Sequence, residues 1–131
     1  MDKIDIKDLR IGNWVHCITD NVNHRIDSFG TDDRIEVYGK PWYIYDGKFN
    51  VLSDIEPIPL ENEILKKNFK RYDMDFEISD SLYISWNKSK EGYKLFTLDN
   101  LDNNIHLVYL NYVHQLQNIL RDLGIDREIT T

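Results

Sequence analysis

The sequence predicts an α+β fold: an N-terminal SH3-like strand meander, a short helix, then an antiparallel sheet with one C-terminal helix. Three observations predict it. Between Asn13 and Leu52, short runs rich in β-formers are separated by glycines and polar loops, the pattern of a closely turned meander. Between Tyr72 and Leu110, apolar residues recur with period two, as a sheet with one solvated face requires. After Asn111 the apolar period becomes helical and stops at Gly124, a favoured residue just past a helix end.

Each element follows in order. Asn13–Ile18 reads as a first strand and His24–Phe29 as a second, ending at Gly30 and the loop Thr31-Asp32-Asp33. In Arg34–Tyr38, Ile35 and Val37 share one face. Gly39-Lys40 supplies a two-residue turn into Trp42–Tyr45, and Asp46-Gly47 is a type I′ hairpin signal before the return strand Lys48–Leu52. Pro57 and Pro59 then stop strand pairing, because proline cannot donate to a ladder. Glu61–Lys67 reads as a helix with Glu61 and Glu63 at its positive end and Lys66 and Lys67 at its negative end. Asn68 is expected in the left-handed cap position, with Phe69 folding back. The basic cluster Lys66, Lys67, Lys70 and Arg71 is thus explained as a helix end.

In the second half, Tyr72, Met74, Phe76 and Ile78 alternate with Asp73, Asp75 and Glu77, predicting one apolar and one acidic strand face. Leu82, Ile84 and Trp86 continue with period two; Tyr93–Leu98 returns after a polar turn, and Ile105–Leu110 completes a four-stranded sheet. Asn111 is the expected N-cap of the last helix. Val113, Leu116, Ile119, Leu120 and Leu123 form its apolar face, and Ile125–Thr131 is a short tail.

The 131 residues suit one cooperative domain spanning 1–131, with residues 1–59 and 60–131 as distinguishable lobes. Cys17 is the one cysteine, which excludes an intramolecular disulfide and a thiolate-rich metal site. Sixteen basic against twenty-three acidic residues give a formal charge of −7, so the phosphate backbone is repelled and nucleic acid is a disfavoured partner. The charged start Met1-Asp2-Lys3-Ile4-Asp5 lacks a signal-peptide core, and no apolar run approaches the ~20 residues that span a bilayer. The expectation is a cytoplasmic protein without a membrane segment.

Three blocks carry a resemblance: Leu9-Arg10-Ile11-Gly12-Asn13-Trp14-Val15, then Ile58-Pro59-Leu60 leading into Glu63-Ile64-Leu65, then Tyr112-Val113-His114-Gln115-Leu116-Gln117-Asn118. In this order the chain resembles a group of short uncharacterised proteins of Bacteroidetes phages, prophages and other mobile elements. The resemblance covers nearly the whole chain. It implies a viral or mobile-element accessory protein and brings no established activity. The chain departs from the group after Asn118, where Ile119-Leu120-Arg121-Asp122-Leu123 replaces an aromatic-rich end, and at Asn68, where a glycine is usual.

Candidate chemistry is concentrated in two places. His114, Gln117 and Arg121 follow i, i+3 and i+7 spacing with Asn118 beside them. An imidazole, two amides and a guanidinium can hold a phosphate or a nucleotide edge; the plainer reading is the solvated side of an amphipathic helix. Tyr43 and Tyr45 share one strand face and can stack a base or grip a partner protein. The acidic face of Asp73, Asp75, Glu77 and Asp80 reads as solvated carboxylates that keep a sheet edge from pairing. His16, His24, His106 and His114 show no metal-ligand spacing, and His16 and Cys17 point to opposite strand faces. No catalytic residue, metal or cofactor is assigned. Three functions remain open: a non-enzymatic protein that binds a host protein, with a defence inhibitor as one form; a sponge for a nucleotide-like ligand; and a small hydrolase built around His114. Aromatic richness makes a C2 homodimer the expected oligomer.

Overall fold

Alternating apolar residues bury one face of a strand and hydrate the other. The computed structural model contains ten strands and two helices among the described residues, which are 8–18, 21–29, 34–37, 40–43, 55–99 and 101–131, with backbone alone at 27–29, 34–37 and 40–43. The fold is α+β, with antiparallel sheets. The chain divides into two compact units, 1–58 with 113–119 and 59–112 with 120–131. The division at 58/59 lies one residue from the expected lobe boundary, and the first seven residues of the last helix belong with the first unit.

The first unit is an antiparallel sheet of β1 (Trp14–Cys17), β2 (Val22–Phe29), β3 (Arg34–Val37), β4 (Lys40–Tyr43) and β5 (Ile55–Glu56), in the order β4-β3-β2-β1-β5. Val37 pairs with Lys40, so Lys40 is a strand residue and the expected Gly39-Lys40 turn is corrected by the register. The short β5 was not anticipated: Ile55 pairs with Cys17 and Glu56 with His16, immediately before Pro57 ends the ladder. The Asp46-Gly47 turn and the return strand Lys48–Leu52 lie outside the described residues. No ladder joins β4 to β5 among the described residues, so a five-stranded sheet is established and a closed SH3-like barrel is not. Leu9, Val15, Cys17, Ile26, Ile55, Ile58, Val113 and Leu116 are buried in this unit.

The second unit begins with α1 (Asn62–Asn68), followed by β6 (Lys70–Tyr72), β7 (Asp75–Ser79), β8 (Leu82–Asn87), β9 (Gly92–Leu98) and β10 (Asn104–Leu110) in the spatial order β10-β9-β8-β7-β6. Five strands stand where four were expected. The reason is a tight turn at Asp73-Met74 that splits the predicted Tyr72–Ile78 strand: Tyr72 pairs with Asp75, and Asp73 has φ 55, a left-handed conformation that aspartate tolerates. Phe76, Ile84 and Leu95 lie side by side across β7, β8 and β9 and are buried. Helix α1 lies on this face, because the Tyr93 hydroxyl donates to Asn62 Oδ1 at 2.8 Å. Leu65, Ile84 and Leu95 are fully buried, each worth about 1.5–3 kcal/mol as an upper estimate.

Asn68 does not take the expected left-handed cap. It is the last residue of α1, and Phe69 follows in extended backbone at φ −131 and ψ 154. The Asn68 side chain instead holds the tail. Its Nδ2 donates to the carbonyls of Ile64 and Thr130, both at 2.8 Å, and its Oδ1 accepts the Thr130 amide at 2.7 Å. Arg127 adds a bond from Nη2 to the Asn68 carbonyl and stands over the Phe69 ring, and Ile129 is buried.

Helix α2 (Val113–Asp122) starts after Tyr112, so Asn111 lies one residue before the capping position expected of it. Its carbonyl instead accepts the Leu60 amide at 2.8 Å. Val113, Leu116 and Leu120 are buried as the helical period implied, whereas Leu123 is 48% exposed. Gly124 has φ 74 and donates to the Arg121 carbonyl, while Ile125 donates to that of Leu120; this pair of bonds is a Schellman closure. Nothing stands within contact distance of a Cβ added at Gly124, so its requirement is conformational. Gly124→Ala is expected to cost about 1 kcal/mol through the left-handed backbone alone, read from urea unfolding with an unchanged m-value.

Candidate functional site

The first candidate from the sequence is the polar stripe of α2, and it does not form one exposed surface. His114 is buried, Gln117 and Asn118 are half-buried, and Arg121 is exposed. Gln117 Oε1 accepts the Trp14 backbone amide at 2.9 Å, and its Nε2 donates to the Gly12 carbonyl at 3.0 Å. Asn118 Nδ2 donates to the Asp8 carbonyl at 2.7 Å, and its Oδ1 accepts from Asn13 Nδ2 at 2.9 Å. Arg10 Nη1 reaches the Asn118 carbonyl. These amides therefore hold the Leu9–Val15 segment onto the helix. Asn13 is fully buried and needs such partners; its Oδ1 also accepts the Arg10 amide at 2.7 Å. Gly12, at φ 92, occupies a left-handed position suited to glycine and presents its carbonyl to Gln117.

Burial lowers the pKa of His114, with Asp8 opposing the shift, so the neutral imidazole is favoured. Tyr43, the second candidate, is the last residue of β4 and pairs with Arg34; its side chain and all of Tyr45 lie outside the described residues. No group of three or more His, Cys, Asp or Glu side chains able to hold a metal ion occurs among the described residues. No helix among them is long and apolar enough to cross a membrane.

A different surface emerges from the register of the second sheet. Strand partners share a face, so Tyr72, Asp75, Glu77, Tyr83, Lys94, Phe96, His106 and Tyr109 lie together on the face opposite Phe76, Ile84 and Leu95. The rings form two groups in contact, Tyr72–Tyr83–Phe96 and His106–Tyr109, with His106 the strand partner of Phe96. Tyr72 and Tyr83 have centroids 5.0 Å apart, Tyr83 and Phe96 stack at 5.6 Å, and His106 and Tyr109 stand at 4.4 Å. Lys94 Nζ sits 5.6 Å from the Phe96 centroid, within cation–π range. Tyr83 and Phe96 are buried beneath this cluster, while Tyr72 is 50% and Tyr109 38% exposed.

The surroundings are acidic. Burial raises the Tyr83 pKa above its ordinary 10.0, followed by Tyr72, Glu77, Asp102 and Asp80 in order of effect. Burial and then Asp73 raise the pKa of Asp75, against Arg71. Lys70 and Lys94 share this face with Asp75 and Glu77; its aromatic rings and its carboxylates are the groups able to bind cations.

The period-two reading missed this face for two local reasons. The Asp73-Met74 turn moves Tyr72 from the Phe76 side to the Glu77 side. A bulge between His106 and Val108 brings His106 and Tyr109, three residues apart, onto one face. The alternation of Leu82-Tyr83-Ile84 did place Tyr83 outward, the one signal that was available.

No known protein family matches this chain, and neither a curated protein nor a solved structure matches it.

Asn118→Ala is expected to destabilise the chain by about 1–3 kcal/mol, because it strips Asn13 of a buried partner; urea unfolding measures this. His114 contributes a pH dependence of defined sign. With its folded pKa below the ordinary 6.5, the unfolded chain takes up the proton first as pH falls, so stability is full above that value and declines below it. The melting temperature should fall between about pH 7 and 5, the range in which histidine titrates. His114→Gln, neutral throughout, should flatten that limb.

Proposed function

We propose that this chain is a non-enzymatic binding protein that acts by occupying a second protein, and that it does so with the aromatic face of the second sheet. One observation carries the reading: Tyr72, Tyr83, Phe96, His106 and Tyr109 form a contiguous aromatic surface with exposed rims, framed by Asp75, Glu77, Asp80 and Asp102. Interfaces are enriched in aromatic residues, and a few of them carry most of the binding energy. The partner chemistry that fits is a protein surface presenting Arg and Lys, which the net charge of −7 would also attract at long range. Together with the resemblance of the three sequence blocks, this supports reading the chain as a cytoplasmic accessory protein of a phage or mobile element that occupies a host protein, a defence component being one such target.

The nucleotide-sponge reading has less support. Gln117 and Asn118 already hold the Leu9–Val15 segment, and the carboxylates around the aromatic face repel phosphate. A hydrolase centred on His114 would need a reachable imidazole, and that side chain is 4% exposed.

The test is capture of partners from host lysate by tagged protein. Tyr72→Ala combined with Tyr109→Ala should weaken capture by about tenfold or more, as loss of interface aromatics does, with the melting temperature little changed. Undiminished capture by that double variant would sink the proposal. Loss of capture with Tyr43→Ala/Tyr45→Ala instead would move the contact surface to the first sheet.

A further inference from the structure

The strands at the edges of the two sheets are not treated alike. An edge strand offers a row of unpaired backbone groups, and chains protect such edges with charge, proline or shortness. At the edges of the first sheet, β4 carries Lys40 and Pro41, and β5 is two residues long and followed by Pro57. In the second sheet, β6 is three residues long and carries Lys70 and Arg71. All three are blunted in recognised ways. The remaining edge is β10, seven residues reading Asn104-Ile105-His106-Leu107-Val108-Tyr109-Leu110. It has no Lys, Arg, Asp, Glu, Pro or Gly. Among the described residues it pairs with β9 alone. Its three exposed large apolar residues are Ile105 at 45%, Leu107 at 43% and Tyr109 at 38%.

The occupant that fits this edge is a second copy of the same chain. Antiparallel pairing about a two-fold axis between Leu107 and Val108 keeps the faces matched across the bulge, setting Ile105 beside Leu110 and His106 beside Tyr109 in both directions. Aliphatic and aromatic pairs of these kinds are favourable cross-strand neighbours, and a two-fold interface requires such self-complementarity. Charge points the same way. A chain of net charge −7 repels its own copy over most of its surface, and β10 is the edge where no charge meets its like. An edge shaped for a basic peptide would instead carry carboxylates.

We infer that this protein forms a C2 homodimer by antiparallel pairing of β10 with β10 of a second copy, extending the second sheet across the axis. The inference does not rest on the aromatic-face reading: it concerns the edge of that sheet and a different partner, with Tyr109 bordering both surfaces. Sedimentation equilibrium over a concentration series should find a dimer. Leu107→Lys and Ile105→Lys, each folded by circular dichroism, should shift the chain to monomer by placing a charge in the pairing edge. Leu107→Cys should give a reducible covalent dimer on mild oxidation, since Cys17 is fully buried and supplies no competing link. A wild type that stays monomeric at every concentration overturns the inference, as does a dimer that survives both lysine substitutions. Should the lysine variants unfold, the cysteine variant decides: a cross-linked dimer upholds the pairing, and its absence refutes it.

Discussion

An amide group can be taken out of water only if its polar atoms find partners, and Asn13 imposes that condition on the first unit. Its side chain is fully buried, with the Arg10 amide on one side and Asn118 on the other. The two asparagines are 105 positions apart. Gln117 and Asn118 extend the contact along the backbone of Asp8, Gly12 and Trp14, so the first unit is tied from its opening segment to its closing helix. Each bond is modest in net terms, but a buried partner left unmade costs more than the bond contributes. This asymmetry makes the arrangement specific. It also joins Leu9–Val15 to Gln117 and Asn118 of the last helix.

The second unit uses the same chemistry for a different end. Asn68 treats the Thr130 peptide as a strand would, giving one hydrogen bond and accepting another, and the tail is ordered by it. The sheet in that unit has two unlike faces. One carries Phe76, Ile84 and Leu95 beneath α1. The other gathers its aromatic rings into a cluster that shields its own centre and leaves its rims to solvent. A face that buries Tyr83 and Phe96 while exposing Tyr72 and Tyr109 combines a rigid centre with accessible edges, the property that makes aromatic residues effective anchors in binding.

Much of the fold was legible in the sequence. Eight of the ten strands lie where period two and the glycine and proline signals indicated a strand; β5 was missed, and in β6 Lys70 and Arg71, read as part of a helix end, are strand residues. Gly124 closed α2 as its position implied, and α1 was displaced by one residue. The misses share a cause. Lys40 was assigned to a turn, Asn68 to a left-handed cap, and Asp73-Met74 to a strand interior, because local propensity allows each of these and only pairing with a distant residue decides. Tyr43 and Tyr45 were legible as aromatic residues on one strand face and nothing more.

By itself, the sequence determined the class of fold, the order of most of its elements and much of its cores. All three follow from patterns within a few residues of chain, where side-chain period and turn chemistry act directly. The tertiary structure alone decided which residues meet. A two-residue turn and a bulge each change the phase of a strand, and one step of phase moves a side chain to the opposite face. Tyr72 and Tyr109 joined the aromatic face by those two shifts. The amides of Gln117 and Asn118 became structural through partners more than a hundred residues away, a separation across which no periodicity in the sequence can be read.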